Sequence, residues 1–258
     1  MPYGGAVPKV FVHGNPEVDA IWNPLVDALA ERGVDDVVRL SPPGFGAPTP
    51  AGWTATRAEY VGWLVDELTT IRGEHGPIDL VGHDWGAGHV VGTMVERPDL
   101  ARTWAVDVLG LVHPDYVWHD MAQAWQTPEV GEQVVGAMVE MSVEERRAAF
   151  AGLGLPDDVL DAVAAGVDAD MGRCILALYR DAPAPVMTQL GAQLATATTP
   201  PGLALVARKD DYVPAAQCID MAQRVGMDVF SLDAGHWWMV EAPAEAADAL
   251  VRFWSTSD

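Results

Sequence analysis

The 258-residue chain carries 37 acidic residues against 15 Lys and Arg, a formal net charge of -22, with 50% of its residues apolar and 20% charged. That apolar share at this length supports a large folded core, while the acidic excess argues against nucleic acid and anionic membrane as partners, since both need a basic footprint. Cys174 and Cys218 are too few for a disulfide framework and lack metal-ligand spacing. No stretch approaches the ~20 apolar residues of a membrane span, and Met1 to Val7 shows no leader pattern. A soluble, cytoplasmic protein is expected.

In chain order, Val7 to Val12 reads as a strand. Ile21, Trp22, Leu25, Val26 and Leu29 follow at the spacing of a buried helical stripe. Val37–Leu40 is a second strand, stopped by Ser41-Pro42-Pro43-Gly44. Thr56 and Glu59 have the form of a capping box, ahead of a helix bearing Tyr60, Trp63, Leu64, Leu68 and Ile71, with Gly73 as its end signal. Pro77 to Val81 is the third strand; a helix over 85–96 and a strand over 103–111 come next.

The rhythm then changes. From His113 to Thr199 Ala, Glu, Gln and Met dominate without a convincing strand, which predicts a helical insertion. Strand–helix alternation resumes with Leu203–Val206, a helix over 215–225, a strand over 227–232 and a last helix over 243–254, where Pro243 suits a first turn. The fold class is therefore α/β with a mostly parallel sheet of about six strands. Residues 1–112 and 200–258 form the α/β core, and 113–199 form a helical cap.

Gly82-x-Asp84-x-Gly86 lies between a predicted strand and a predicted helix, the context of a nucleophile elbow. Glycines two residues to either side let the two backbones approach. An acid here needs no base to activate it, and the helix N-terminus behind it should favour the ionised form. By itself the pattern is equally compatible with an ordinary acidic N-cap.

His13-Gly14-Asn15-Pro16, His83-Asp84-Trp85-Gly86, Asp210-Asp211-Tyr212-Val213-Pro214 and Gly235-His236-Trp237 together resemble the signature set of α/β-hydrolases with an aspartate nucleophile. That group includes epoxide hydrolases and haloalkane dehalogenases. The resemblance spans nearly the whole chain, except that two strands which usually precede the first one here are missing. It implies Asp84 as nucleophile, Asp210 as triad acid with Asp211 as competitor, and His236 as base. It also implies an oxyanion hole from the amides of Asn15 and Trp85, a cis Asn15–Pro16 bond, and structural roles for His13 and His83.

The leaving group is less determined. Tyr179-Arg180 resembles the cap tyrosine of epoxide hydrolases, and Tyr116 is a second candidate proton donor. Asn15 instead matches one dehalogenase subgroup, whose acid is expected near Val112, where only Asp115 stands close. Epoxide hydrolysis to a diol is favoured, with haloalkane dehalogenation as the alternative and a non-catalytic binding scaffold as a third reading. Trp118, Trp125, Met121, Met138, Met141, Trp237 and Trp238 predict an apolar cleft for a small hydrophobic neutral substrate and water. No cofactor or metal is called for. Nothing in the sequence sets an oligomeric state; a homodimer is compatible with it.

Overall fold

A computed structural model describes residues 7–256, so Met1 to Ala6 of the stretch read for a leader lie outside the described residues. Six parallel strands form one sheet: β1 Lys9–Val12, β2 Val37–Leu40, β3 Asp79–Gly82, β4 Thr103–Val106, β5 Gly202–Ala207 and β6 Asp228–Leu232. Their order is β2-β1-β3-β4-β5-β6. The central strands β3, β4 and β5 are buried along their whole length, which is why they read as unbroken apolar runs. The edge strands β2 and β6 are only partly covered.

Helices cover both faces of this sheet. They are α1 Asn23–Ala30, α2 Arg57–His75, α3 Trp85–Glu96, α4 Asp120–Gln126, α5 Val130–Glu140, α6 Val143–Phe150, α7 Asp157–Gly166, α8 Ala169–Asp181, α9 Val186–Leu194, α10 Ala215–Val225, α11 Trp238–Glu241 and α12 Pro243–Thr256. α1 packs with α12, and α2 with α3. The expected capping box opens α2: Glu59 N donates to Thr56 Oγ1 at 3.3 Å and Thr56 N to Glu59 Oε2 at 3.2 Å. Gly73 does not end that helix. The residue that stops it is Gly76, whose φ 90° and ψ -144° favour glycine.

The strand expected over 103–111 ends at Val106. Asp107 captures the Val108 amide with its own Oδ1 at 2.6 Å, which diverts the backbone from the ladder. The chain then enters a 3-10 turn at Leu109–Val112. Among the described residues no strand occurs between β4 and β5; α4 to α9 fill that span. α4, α5 and α8 pack on one another, α6 packs on α7, and α9 lies against α3 and the 109–112 turn.

The register pairs Val12 with Gly82 and Gly82 with Val106, so the carboxyl ends of β1, β3 and β4 lie level. Asn15, Asp84, Asp107, Asp210 and His236 all follow carboxyl ends of strands. Ligands of open α/β sheets bind along this edge. The opposite end is locked by Asp79, a fully buried carboxylate that accepts from Lys9 Nζ at 2.5 Å, Arg102 Nε at 2.9 Å and Thr103 Oγ1 at 2.6 Å.

Candidate active site

Asp84 sits between β3 and α3 with φ 49° and ψ -123°, a conformation that side-chain-bearing residues rarely adopt. Its glycine neighbours are dictated by space. A Cβ on Gly86 would lie 2.1 Å from Val12 O, and one on Gly82 would lie 2.8 Å from Ala87 Cα. Gly14 matters in the same way, because its Cβ would lie 2.2 Å from Asp84 Oδ2. With no side chain there, the strand-to-loop backbone approaches closely enough for Asn15 N to donate to Asp84 Oδ2 at 2.9 Å. The Asn15–Pro16 bond is cis. The Trp85 amide belongs to the first turn of α3, where amides have no intrahelical acceptor.

The two oxygens of Asp84 therefore face different surroundings. Oδ2 is held by the Asn15 amide, and Oδ1 lies 3.9 Å from His236 Nε2. The far nitrogen of that imidazole, Nδ1, is 2.9 Å from Asp210 Oδ2. Asp210 is oriented in turn by the Tyr212 and Val213 amides, which donate to Oδ1 at 2.7 and 3.0 Å. Asp211 is exposed, so Asp210 is the acid that reaches the histidine.

Burial raises the pKa of Asp84 above the usual aspartate value, an effect that the charge on His236 only partly offsets. The net direction is opposite to the ionised form expected at a helix N-terminus, with burial as the largest cause and the charge of Glu17 adding to it. Burial also works against protonation of His236, but the hydrogen bond and charge of Asp210 and the charge of Asp84 leave its pKa above the ordinary value. Asp210 is lowered, because its bonds to His236 and to two amides overcome its burial.

A cavity of about 420 Å³ opens over Asp84. Asn15, Trp85, Tyr116, Trp118, Met121, Trp125, Met138, Met141, Tyr179, His236 and Trp237 all line it, so the expected pocket residues converge, while Trp238 points away into the core. Among the described residues, none of those lining it is Lys or Arg. Asn15 is 6% exposed, yet both Oδ1 and Nδ2 of its side chain lack a partner. Tyr179 is buried against Trp85, Trp118 and Trp125, and burial together with the charge of Asp84 holds its hydroxyl well above the usual phenol value. Tyr116 donates its proton to Tyr212 O at 3.2 Å.

Three functional-looking residues escaped the sequence reading. Tyr212 packs its ring 4.8 Å from that of His236 and lines the cavity. Glu17 and Asp107 lie buried beneath the site on either side of His83. The acid after β4 is thus Asp107, not a residue near Val112, and Asp115 is exposed. An acid directly after an apolar strand at the carboxyl edge was the available signal, hidden by extending that strand to Leu111. Glu17, His83 and His236 present possible metal-ligand atoms within 4.8 Å of one another. Both nitrogens of His83, however, are already engaged by carboxylates.

Residues 10–249 match the family described as alpha/beta hydrolase. The chain is a member of the alpha/beta hydrolase family. A 103-residue stretch of this hydrolase, 40% of the chain, is 30% identical to (E)-2-((N-methylformamido)methylene)succinate hydrolase of Acinetobacter baylyi, and it spans only 38% of that enzyme. In the solved structures the hydrolase is similar to haloalkane dehalogenase DbeA from Bradyrhizobium elkani, with 22% identity, 98% of this chain and 92% of the other covered, and a TM-score of 0.72. It is also similar to E-2-(acetamidomethylene)succinate hydrolase, with 18% identity, the same coverage and a TM-score of 0.71. At these identities the likeness concerns the fold. Among the described residues, no helix of this hydrolase is long and apolar enough to cross a membrane.

Proposed function

We propose that this hydrolase displaces a leaving group from a saturated carbon of a small, neutral, apolar substrate, through an ester on Asp84. The observation that carries this is the division of labour within one carboxylate: Oδ2 rests on the Asn15 amide while Oδ1 is left for attack. In the first step Oδ1 bonds to carbon and the carbon–leaving group bond breaks, its electron pair going with the leaving group. In the second, His236, held by Asp210, takes a proton from water, and the resulting hydroxide adds to Cγ of the ester. Negative charge then develops on Oδ2, where the Asn15 and Trp85 amides can stabilise it by about 3 kcal/mol per donor. Collapse releases an alcohol and restores Asp84. The helices of 113–199 act as a cap that keeps bulk water from this chemistry.

A halide is the leaving group the pocket favours. A weakly basic anion needs N–H donors instead of a proton, and the buried Asn15 side chain offers an unpartnered Nδ2 beside Asp84, with the Trp85 indole also on the wall. This shifts the balance from epoxide to halide relative to the sequence reading, because the Tyr116 proton is committed to a backbone carbonyl. Epoxide hydrolysis is the second reading, favoured by the buried Tyr179 hydroxyl, which could protonate the departing alkoxide. Succinate-type substrates suit the pocket poorly, since its described lining residues offer no Lys or Arg to a carboxylate.

The two readings separate in parallel assays of halide release from 1-bromobutane and diol formation from styrene oxide. Halide release lost in Asn15→Ala and kept in Tyr179→Phe supports the first. Diol formation lost in Tyr179→Phe, with no halide release by the wild type, supports the second.

A further inference from the structure

Beneath Asp84 and His236 lies a second polar array that the proposed chemistry leaves unused. His83 pairs its Nδ1 with Asp107 Oδ2 and its Nε2 with Glu17 Oε1, the latter at 3.1 Å, and its side chain is fully buried. Among the described residues, the other partners of each carboxylate are donors alone. Asp107 accepts from Asp84 N at 3.2 Å, Val108 N at 2.6 Å and Trp238 Nε1 at 2.7 Å besides His83. Glu17 accepts from Gly14 N at 3.3 Å and Trp237 Nε1 at 2.6 Å besides His83. Apart from the imidazole itself, neither acid has, among the described residues, an acceptor to which it could donate a proton; with both carboxylates ionised, both imidazole nitrogens carry one.

The same bonds tie the site together. Glu17 links the Gly14 backbone, the elbow through His83, and the base loop through Trp237. Asp107 links the Asp84 backbone, His83 and Trp238. The His83 ring also packs against that of His236, with centroids 4.8 Å apart.

We propose that Glu17 and Asp107 hold His83 as a permanent imidazolium, and that this buried array is positioning machinery which fixes the loops bearing Asn15, Asp84 and His236 while its cation keeps His236 available as a base. In agreement, His83 stands well above the ordinary histidine pKa, its two acids outweighing burial. Glu17, despite burial, is pulled down to about 2 by the charge and hydrogen bond of His83. The charge state of His83 does not depend on the proposed reaction. Its service to His236 rests on that reading.

The titratable groups around His83 are Glu17, His13, Asp84, Asp107 and His236. Those acting on His236 are His83, Asp84, Asp210, Glu17, Tyr212 and His119. Charge counting then gives signed expectations. His83→Gln removes the cation and leaves two acids, so His236 should hold its proton to higher pH, by about one pH unit or more. Glu17→Gln removes an acid and should shift His236 the opposite way. The double variant restores the original sum and should return His236 close to its wild-type midpoint.

The experiment is imidazole ¹⁵N–¹H NMR titration of the full-length wild type and these three variants. In the wild type both His83 nitrogens should stay protonated well beyond the ordinary histidine midpoint of about 6.5. A His83 that titrates near its ordinary value overturns the proposal even if every variant fails to fold, and so do single-variant shifts of one sign. Because no turnover is read, failure here is distinguishable from failure of the proposed reaction.

Discussion

His236 Nε2 stands 3.9 Å from Asp84 Oδ1, beyond hydrogen-bond reach, while Nδ1 of the same ring is held at 2.9 Å by Asp210. Asp210 thus orients the imidazole without its being tied to Asp84. This spacing suits a two-step reaction in which the carboxylate acts first and the imidazole later.

The pH dependence follows from the charge states. The proposed reaction needs Asp84 ionised and His236 neutral, and both of those forms are lost as pH falls. Burial raises Asp84, and Asp210 raises His236 against its own burial. The acidic limb of kcat/KM should therefore have its midpoint above the ordinary histidine value of about 6.5. Asp210→Asn should move that limb down in pH and slow turnover by about 10²–10⁴-fold. A wild-type limb below 6.5, read from initial rates across a buffer series, contradicts this assignment.

Gly14→Ala places a methyl group where Asp84 Oδ2 now lies. Either the carboxylate or the Asn15 amide must move, so initial rates should fall about 10²–10³-fold, the cost of one oxyanion donor. The overlap extends to Asp84 Cβ at 2.4 Å, so overpacking should also cost about 1–3 kcal/mol of stability, and rates are compared per folded molecule. Unchanged rates would mean the Asn15 amide is not part of the machinery.

Asp79→Ala tests the other end of the sheet. It strips partners from Lys9, Arg102 and Thr103 around a fully buried carboxylate. Urea unfolding should show a loss of about 3–5 kcal/mol, while the activity per folded molecule stays at the wild-type level.

The cavity wall also predicts selectivity. With no Lys or Arg among its described lining residues, a carboxylate on the substrate would be buried unpaired, at a cost of several kcal/mol. Bromoacetate should react with a kcat/KM at least about 100-fold below that of 1-bromobutane, a difference of about 2.7 kcal/mol. Comparable halide release from both would contradict a pocket whose described lining offers no cation to a carboxylate.

Much of this was legible in the sequence because the signals are local. Gly82, Asp84 and Gly86 mark the elbow within five residues, and Thr56 with Glu59 marks the start of α2. The buried strands β3 to β5 stand out as apolar runs between Pro, Gly and acid punctuation. What escaped is non-local. Glu17 and Asp107 acquire meaning only when β1, β3 and β4 are aligned, bringing residues 66 and 24 positions from His83 into its hydrogen bonds. Asn15 was visible, but its unpartnered side-chain amide was not, because satisfaction of a buried polar group depends on everything packed around it.

The most direct test of the central claim is intact-mass spectrometry of His236→Gln after exposure to 1-bromobutane and, separately, styrene oxide. With the base removed and the nucleophile intact, the protein should accumulate an adduct of the substrate's alkyl mass, mapped by peptide digestion to Asp84. Absence of any adduct, under conditions where the wild type turns the same substrate over, would contradict an ester on Asp84.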